Sequence, residues 1–169
     1  MSPKKRENNQ KKKVALIGCG LIGQSWAISF LSAGFEVSLF DPVKGVTPRA
    51  KENIIVKLSD LQNYGLLKNK NISDFLDKIH LARDISQAVG GSFYVQESGP
   101  EDLDIKRELT KKIDAATPDN IPIASSTSGI STSLYAGDIS GKHRCIVAHP
   151  INPPHLIPAV EIVPAPFTS

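Results

Sequence analysis

Val14-Ala15-Leu16-Ile17-Gly18-Cys19-Gly20-Leu21-Ile22-Gly23, continuing into Gln24-Ser25-Trp26-Ala27, decides how this chain is read. Four apolar residues run into a glycine, which predicts a short buried strand. Gly18 to Gly23 then matches G-x-G-x-x-G. The pattern alone is weak, but here it follows a strand and opens a helix. From Leu21 to Ala33 the spacing predicts that helix, with Ile22, Trp26, Phe30 and Leu31 near one face and Gly34 ending it. Glu36 to Phe40 reads as a second strand. Strand, helix and strand fit within the 27 residues 14–40. Such a βαβ unit implies parallel pairing and a right-handed crossover.

Each glycine has a separate task in this setting. The first permits the tight turn, the second lets a pyrophosphate approach the backbone, and the third lets helix and strand pack closely. The helix N-terminus adds N–H groups and the positive end of its dipole. Gly18, Gly20, Leu21, Ile22 and Gly23 are therefore the expected contacts of a dinucleotide. Asp41 ends the second strand, 18 residues after Gly23. A carboxylate there accepts hydrogen bonds from the adenosine ribose hydroxyls and repels a 2′-phosphate, so NAD is expected rather than NADP. Cys19 reads as a small packing residue beside the loop.

The rest of the chain continues the alternation. Helices are expected over 47–64 and 102–116, with shorter helical pieces over 71–79 and 86–89. Strands are expected over 80–82, 93–95, 121–125, 145–148 and 160–163. This pattern predicts an α/β fold, a Rossmann-type doubly wound and mostly parallel sheet. The 169 residues suffice for about one domain. Six basic residues against Glu7 put +5 into residues 1–13, so the net charge of +3 leaves −2 for the remainder. The division expected is a disordered basic tail over 1–13 and a nucleotide-binding domain over 14–169. The mildly acidic domain carries no nucleic-acid footprint. No apolar run approaches the roughly 18 residues of a membrane helix, so no membrane partner is expected. Two cysteines exclude a disulfide scaffold and fit a cytoplasmic setting.

A second constellation lies near the end, in His149-Pro150-Ile151-Asn152-Pro153-Pro154. Glu161 follows the histidine by 12 residues, and Ser128 precedes it by 21. Both segments directly follow expected strands, whose carboxyl ends bound the ligand crevice of a doubly wound sheet. The residue types suit alcohol oxidation. Histidine can take a hydroxyl proton near neutral pH, and a carboxylate such as Glu161 fixes its tautomer. Ser128 and Asn152 can bond the substrate oxygen or a carboxamide. His80, His143 and His155 lack a comparable setting and read as surface residues.

These motifs, with Glu101-Asp102-Leu103-Asp104-Ile105-Lys106-Arg107 and Ser125-Ser126-Thr127-Ser128-Gly129-Ile130, resemble the NAD-binding domain of the 3-hydroxyacyl-CoA dehydrogenase family. The resemblance runs from about Val14 to Ser169. It is strongest to the lambda-crystallin branch, which includes L-gulonate 3-dehydrogenase. It implies an enzyme with NAD as cofactor and a small-molecule 3-hydroxy acid or acyl-CoA as substrate. By motif, His149 and Glu161 fall on the family's acid–base pair, Ser128 on the serine of its S-[NS]-[TS]-S motif and Asn152 on the asparagine of its H-x-x-N-P motif. Glu101 and Lys106 fall on residues that contact the nicotinamide half of NAD. From the residues alone, both read as solvated charges at a helix start. Glu97 is a weaker candidate, as a strand-end acid facing the cleft.

The sequence departs from fatty-acyl members, which read H-F-F-N-P where this chain has His149-Pro150-Ile151-Asn152-Pro153. Three readings follow. The first is oxidation of an L-3-hydroxy acid to its 3-keto acid. The second is a 3-hydroxyacyl-CoA dehydrogenase proper, with Lys44, Arg49, Lys51 and Lys57 available to CoA phosphates. The third is a non-catalytic NAD-binding or crystallin-like module. The resemblance also implies a helical C-terminal domain that closes the cleft and carries a homodimer contact. Nothing in these 169 residues encodes it, so the chain is expected to be the N-terminal half of such an enzyme and poorly active alone.

Overall fold

The computed structural model describes residues 12–67 and 70–169. The expected basic tail falls almost wholly on residues 1–11, which lie outside the described residues. Strand β1 (Lys13–Ile17) starts one residue before the apolar run. It is followed by α1 (Leu21–Ser32), β2 (Glu36–Phe40), α2 (Val46–Asn63), α3 (Ser73–Leu76) and β3 (Ile79–Leu81). The chain then forms α4 (Ile85–Val89), β4 (Ser92–Glu97), α5 (Leu103–Ala116), β5 (Ile123–Ser125) and α6 (Thr132–Ala136). A 3₁₀ turn over Lys142–Arg144 leads into β6 (Cys145–Pro150), and β7 (Val160–Pro164) completes the sheet.

The seven strands lie in the order β3-β2-β1-β4-β5-β6-β7. All neighbours are parallel except β6 and β7, which are antiparallel. The chain winds outward from β1 through β2 to β3, then returns to place β4 on the other side of β1. The order therefore reverses between β1 and β4, and a ligand crevice opens at such a point. The doubly wound, mostly parallel sheet expected from the sequence is the fold observed. Among the described residues no helix is long and apolar enough to cross a membrane.

Two cores cover the two faces. On one, Val14, Leu16, Val37 and Leu39 pack under α1 and α2 through Ile28, Leu31, Ile54 and Leu58, all at most 1% exposed. On the other, Ile17, Val95, Ile113, Ile123 and Tyr135 pack beneath α4, α5 and α6. Burying each such aliphatic side chain is worth roughly 1.5–3 kcal/mol. Asp84 and Asp102 cap α4 and α5, their carboxylates accepting N–H bonds from Gln87 and Ile105 at 2.7 and 2.9 Å.

Two elements differ from expectation. The helical piece over 71–79 shrinks to Ser73–Leu76, because Phe75 is wholly buried and the chain must turn at once into β3. Helix α6 was not expected, and Tyr135 and Ala136 hold it against the sheet.

Candidate active site

Strand register builds the crevice. Ile17 lies opposite both Phe40 and Glu97, and Glu97 lies opposite Ser125. The residues after these strand ends, Gly18, Ser98 and Ser126, therefore stand side by side along the carboxyl edge of the sheet.

The glycine turn has the division of labour its pattern predicts. Gly18 has φ +97°, a left-handed conformation, and a Cβ there would come within 2.5 Å of the Ser98 carbonyl oxygen. A Cβ on Gly23 would collide with the Gly18 carbonyl oxygen. A Cβ on Gly20 would meet nothing within 4 Å. Gly20 is the N-cap of α1 and no side chain caps it. The bare N-terminus and the open space over Gly20 fit a dinucleotide pyrophosphate. Leu21 is 73% exposed there, and Ile22 lines the adjoining cleft.

Asp41 ties this turn to β2. Its Oδ2 accepts the Cys19 N–H and its Oδ1 the Val43 N–H, both at 2.9 Å. Each oxygen retains capacity for a further donor, as ribose hydroxyls would require. The Cys19 thiol is pushed up to about 12 by burial and by the Asp41 carboxylate, against a hydrogen bond from Thr47. It is no nucleophile at neutral pH.

At the other end of the cleft, the β6–β7 register sets His149 opposite Glu161. His149 Nδ1 lies 2.7 Å from Glu161 Oε2. That contact leaves Nε2 as the nitrogen able to receive a substrate proton. The His149 side chain is 28% exposed and that of Glu161 64%. A cleft of about 260 Å³ joins His149, Pro150 and Asn152 to Ser126 and Ser128, and reaches Ile22, Ser98, Gly99 and Glu101 on its other wall. Glu161 and Lys106 are not among its lining residues.

Glu101 and Lys106 separate in the structure. Glu101 Oε1 accepts the Thr127 hydroxyl at 2.6 Å and the Ser128 and Gly129 N–H groups at 3.0 Å each. Desolvation raises the Glu101 carboxyl, but these hydrogen bonds and the charge of Lys106 outweigh it and hold the group below its usual range. Glu101 is thus the clamp on the loop that presents Ser128. Lys106 is 1% exposed, paired with Glu97 and outside the cleft lining, so it is not the solvated helix charge read from the residues, and the nicotinamide contact that the resemblance implies for it is not seen at the cleft surface. Glu97, expected to face the cleft, is equally buried and is not among the cleft-lining residues. His155 is also not a surface residue: it is half-buried and its Nδ1 is sealed without a partner. Burial and then the charge of Lys57 press its pKa below the usual histidine value. His80 is exposed and meets Glu36 at 2.9 Å. Ser98 and Ser126 were missed as cleft residues. Their only sequence signal is the place directly after a predicted strand.

The comparisons agree with this arrangement. Residues 13–169 match the family described as "3-hydroxyacyl-CoA dehydrogenase, NAD binding domain". The human "Lambda-crystallin homolog" is 40% identical over 158 residues, which span 92% of this chain and 49% of that protein. An "L-carnitine dehydrogenase" of Streptomyces coelicolor is 39% identical over 152 residues, 90% of this chain and 46% of that protein. The crystal structure of 3-hydroxybutyryl-CoA dehydrogenase from Escherichia coli superposes with a TM-score of 0.86 at 27% identity, covering 94% of this chain and 33% of that one. The chain spans about half the length of the curated relatives it matches.

Proposed function

Because this chain belongs to the 3-hydroxyacyl-CoA dehydrogenase family, as an NAD-binding domain, we propose that it carries the cofactor site and the acid–base pair for oxidising an L-3-hydroxy acid to the 3-keto acid. The observation that supports this most is the 2.7 Å contact between His149 and Glu161, at the mouth of the same cleft as the glycine turn. NAD, when bound, supplies the hydride acceptor. His149 Nε2 takes the proton of the substrate hydroxyl. Glu161 holds the imidazole by its Nδ1–H and stabilises the imidazolium that results. Ser128 and Asn152 hold the substrate oxygen, and Glu101 keeps the Ser128 loop in place. Asp41 selects the unphosphorylated ribose.

Within that reading, the substrate is a compact hydroxy acid of the L-gulonate or L-carnitine kind rather than a fatty acyl-CoA. Pro150 and Ile151 replace the two aromatic residues of fatty-acyl members. Pro150 is buried against the cleft, while Ile151 turns 39% of its surface outward. The cytoplasm is the proposed location. NADH formation by the full-length enzyme with L-gulonate, L-carnitine and L-3-hydroxybutyryl-CoA tests the proposal, since the chain alone is expected to be poorly active. The hydroxy acids are expected to exceed the thioester in kcat/KM. A reversed order overturns the substrate class, and no turnover of any of the three in a preparation that binds NAD favours a non-catalytic module.

A further inference from the structure

Five side chains at the floor of the cleft form one hydrogen-bond relay. Trp26 Nε1 lies 3.1 Å from Ser126 Oγ, and Gln96 Nε2 lies 2.7 Å from the same oxygen. Ser98 Oγ is 2.8 Å from Ser126 Oγ. Tyr94 donates its hydroxyl to Gln96 Oε1 at 2.6 Å. The Gln96 amide has one sense only. Its Nε2 also faces the Ala148 carbonyl oxygen, at 3.4 Å, which an amide oxygen would repel.

Proton counting then fixes the direction of every bond. An indole N–H is a donor only, so Ser126 Oγ accepts from Trp26. It accepts again from Gln96. A hydroxyl oxygen has two lone pairs and one proton, so Ser126 has only its proton left for Ser98. Ser98 Oγ is therefore an acceptor toward Ser126, and its own proton has no place inside the relay. Gln96 is wholly buried and Trp26 is 8% exposed, so the direction is set by groups that solvent hardly reaches.

The position of Ser98 says what that proton meets. Its backbone N–H is held by the Ile17 carbonyl at 2.7 Å. Its carbonyl crowds Gly18, and its Cβ lies 3.7 Å from where a Gly23 Cβ would stand. It lines the cleft together with Ser126, Ser128 and His149. Ser98 thus stands between the phosphate-binding turn and the acid–base pair, along the path that links pyrophosphate to nicotinamide. We propose that Ser98 is a binding residue, its hydroxyl turned outward by the Trp26–Gln96–Ser126 relay to donate to an oxygen on the nicotinamide side of the bound dinucleotide. The inference rests on the NAD reading of the cleft.

Calorimetric titration of the 169-residue chain with NAD and, separately, with ADP tests this. ADP supplies the adenosine and phosphate groups but lacks the nicotinamide riboside that Ser98 is proposed to contact. Ser98→Ala is expected to raise the NAD Kd about three- to tenfold, the usual worth of one hydrogen bond, and to leave the ADP Kd within about twofold. Ser98→Cys keeps the shape with a weak donor and is expected to show the same selective loss. An unchanged NAD Kd, or equal weakening of NAD and ADP in both variants, overturns the proposal. Failure of the unsubstituted chain to bind either nucleotide overturns the NAD reading instead, which separates the two.

Discussion

Lys106 Nζ lies 2.8 Å from Glu97 Oε2, and each of these side chains is only 1% exposed. Glu97 closes β4, and its other carboxylate oxygen accepts the Gly99 N–H at 2.6 Å. The Ser125 hydroxyl donates to the same oxygen as Lys106. One buried ion pair thus joins the ends of β4 and β5 to α5, directly below the cleft wall formed by Ser98 and Gly99. Its role in this structure is to hold that wall.

Removing one partner should therefore cost more than removing the charges together. Lys106→Ala leaves Glu97 buried and uncompensated, and is expected to lower unfolding stability by about 3–5 kcal/mol. The double change Glu97→Gln with Lys106→Met keeps an acceptor for Gly99 and removes both charges, and should cost less than the single change. Urea denaturation of both variants measures this. A single variant within about 0.5 kcal/mol of the unsubstituted chain, as for ordinary surface positions, would contradict the buried pairing.

Asp41→Ala should weaken NAD binding and relax discrimination against NADP. The carboxylate is held by Cys19 and Val43 at 2.9 Å each, so it is fixed before any ribose arrives. The measurement is the ratio of NAD and NADP dissociation constants by calorimetry. A ratio that does not move removes Asp41 from the ribose site.

The sheet and the cofactor turn were legible because they are local. Gly18, Gly20 and Gly23 sit in a six-residue pattern whose demands are backbone demands, and the apolar runs at 14–17 and 36–40 mark the strands beside it. His149 and Glu161 were within reach through their residue types and the family resemblance, whereas their antiparallel pairing across β6 and β7 emerged only in the structure. Three things were not legible. The burial of Lys106 depends on Glu97, nine residues away, and on Ser125, 19 residues away. The relay joins Trp26 to Ser126 across 100 residues. Helix α6 spans only five residues and owes its place to contacts of Tyr135 with the sheet. Periodicity carries no information about long-range polar contacts of this kind.

The clamp of Glu101 on the Ser128 loop should be sensitive to acid. Its carboxyl is held below the ordinary value of 4.5 in the folded chain. The stabilisation it gives is then complete above the unfolded value and lost as pH falls through the lower folded value. Glu101→Gln removes this dependence. The stability gap between the unsubstituted chain and the variant should be constant near neutral pH and shrink below about pH 4.5. Thermal melts across that range measure it. A gap that widens on acidification would reverse the sign and refute the clamp.

The acid–base assignment is testable by separating binding from chemistry. His149 Nδ1 is occupied by Glu161, so Nε2 is the functional nitrogen, and glutamine cannot replace it as a base. In the full-length enzyme, His149→Gln is expected to lower kcat on a 3-hydroxy acid by at least about 100-fold, since general-base catalysis is worth about 10²–10⁴. The NAD Kd should stay within about twofold, because the turn at Gly18–Gly23 and Asp41 are untouched. Glu161→Gln keeps an acceptor on the imidazole but not the charge that stabilises its protonated form. It should lower kcat less than the histidine change and leave KM for the hydroxy acid nearly constant. The two losses should not add in the double variant, because Glu161 acts only through His149. If His149→Gln retained more than about a tenth of kcat, far above the residue expected without a general base, the proton would leave the substrate by another route. Additive losses would give Glu161 a separate contact with the substrate.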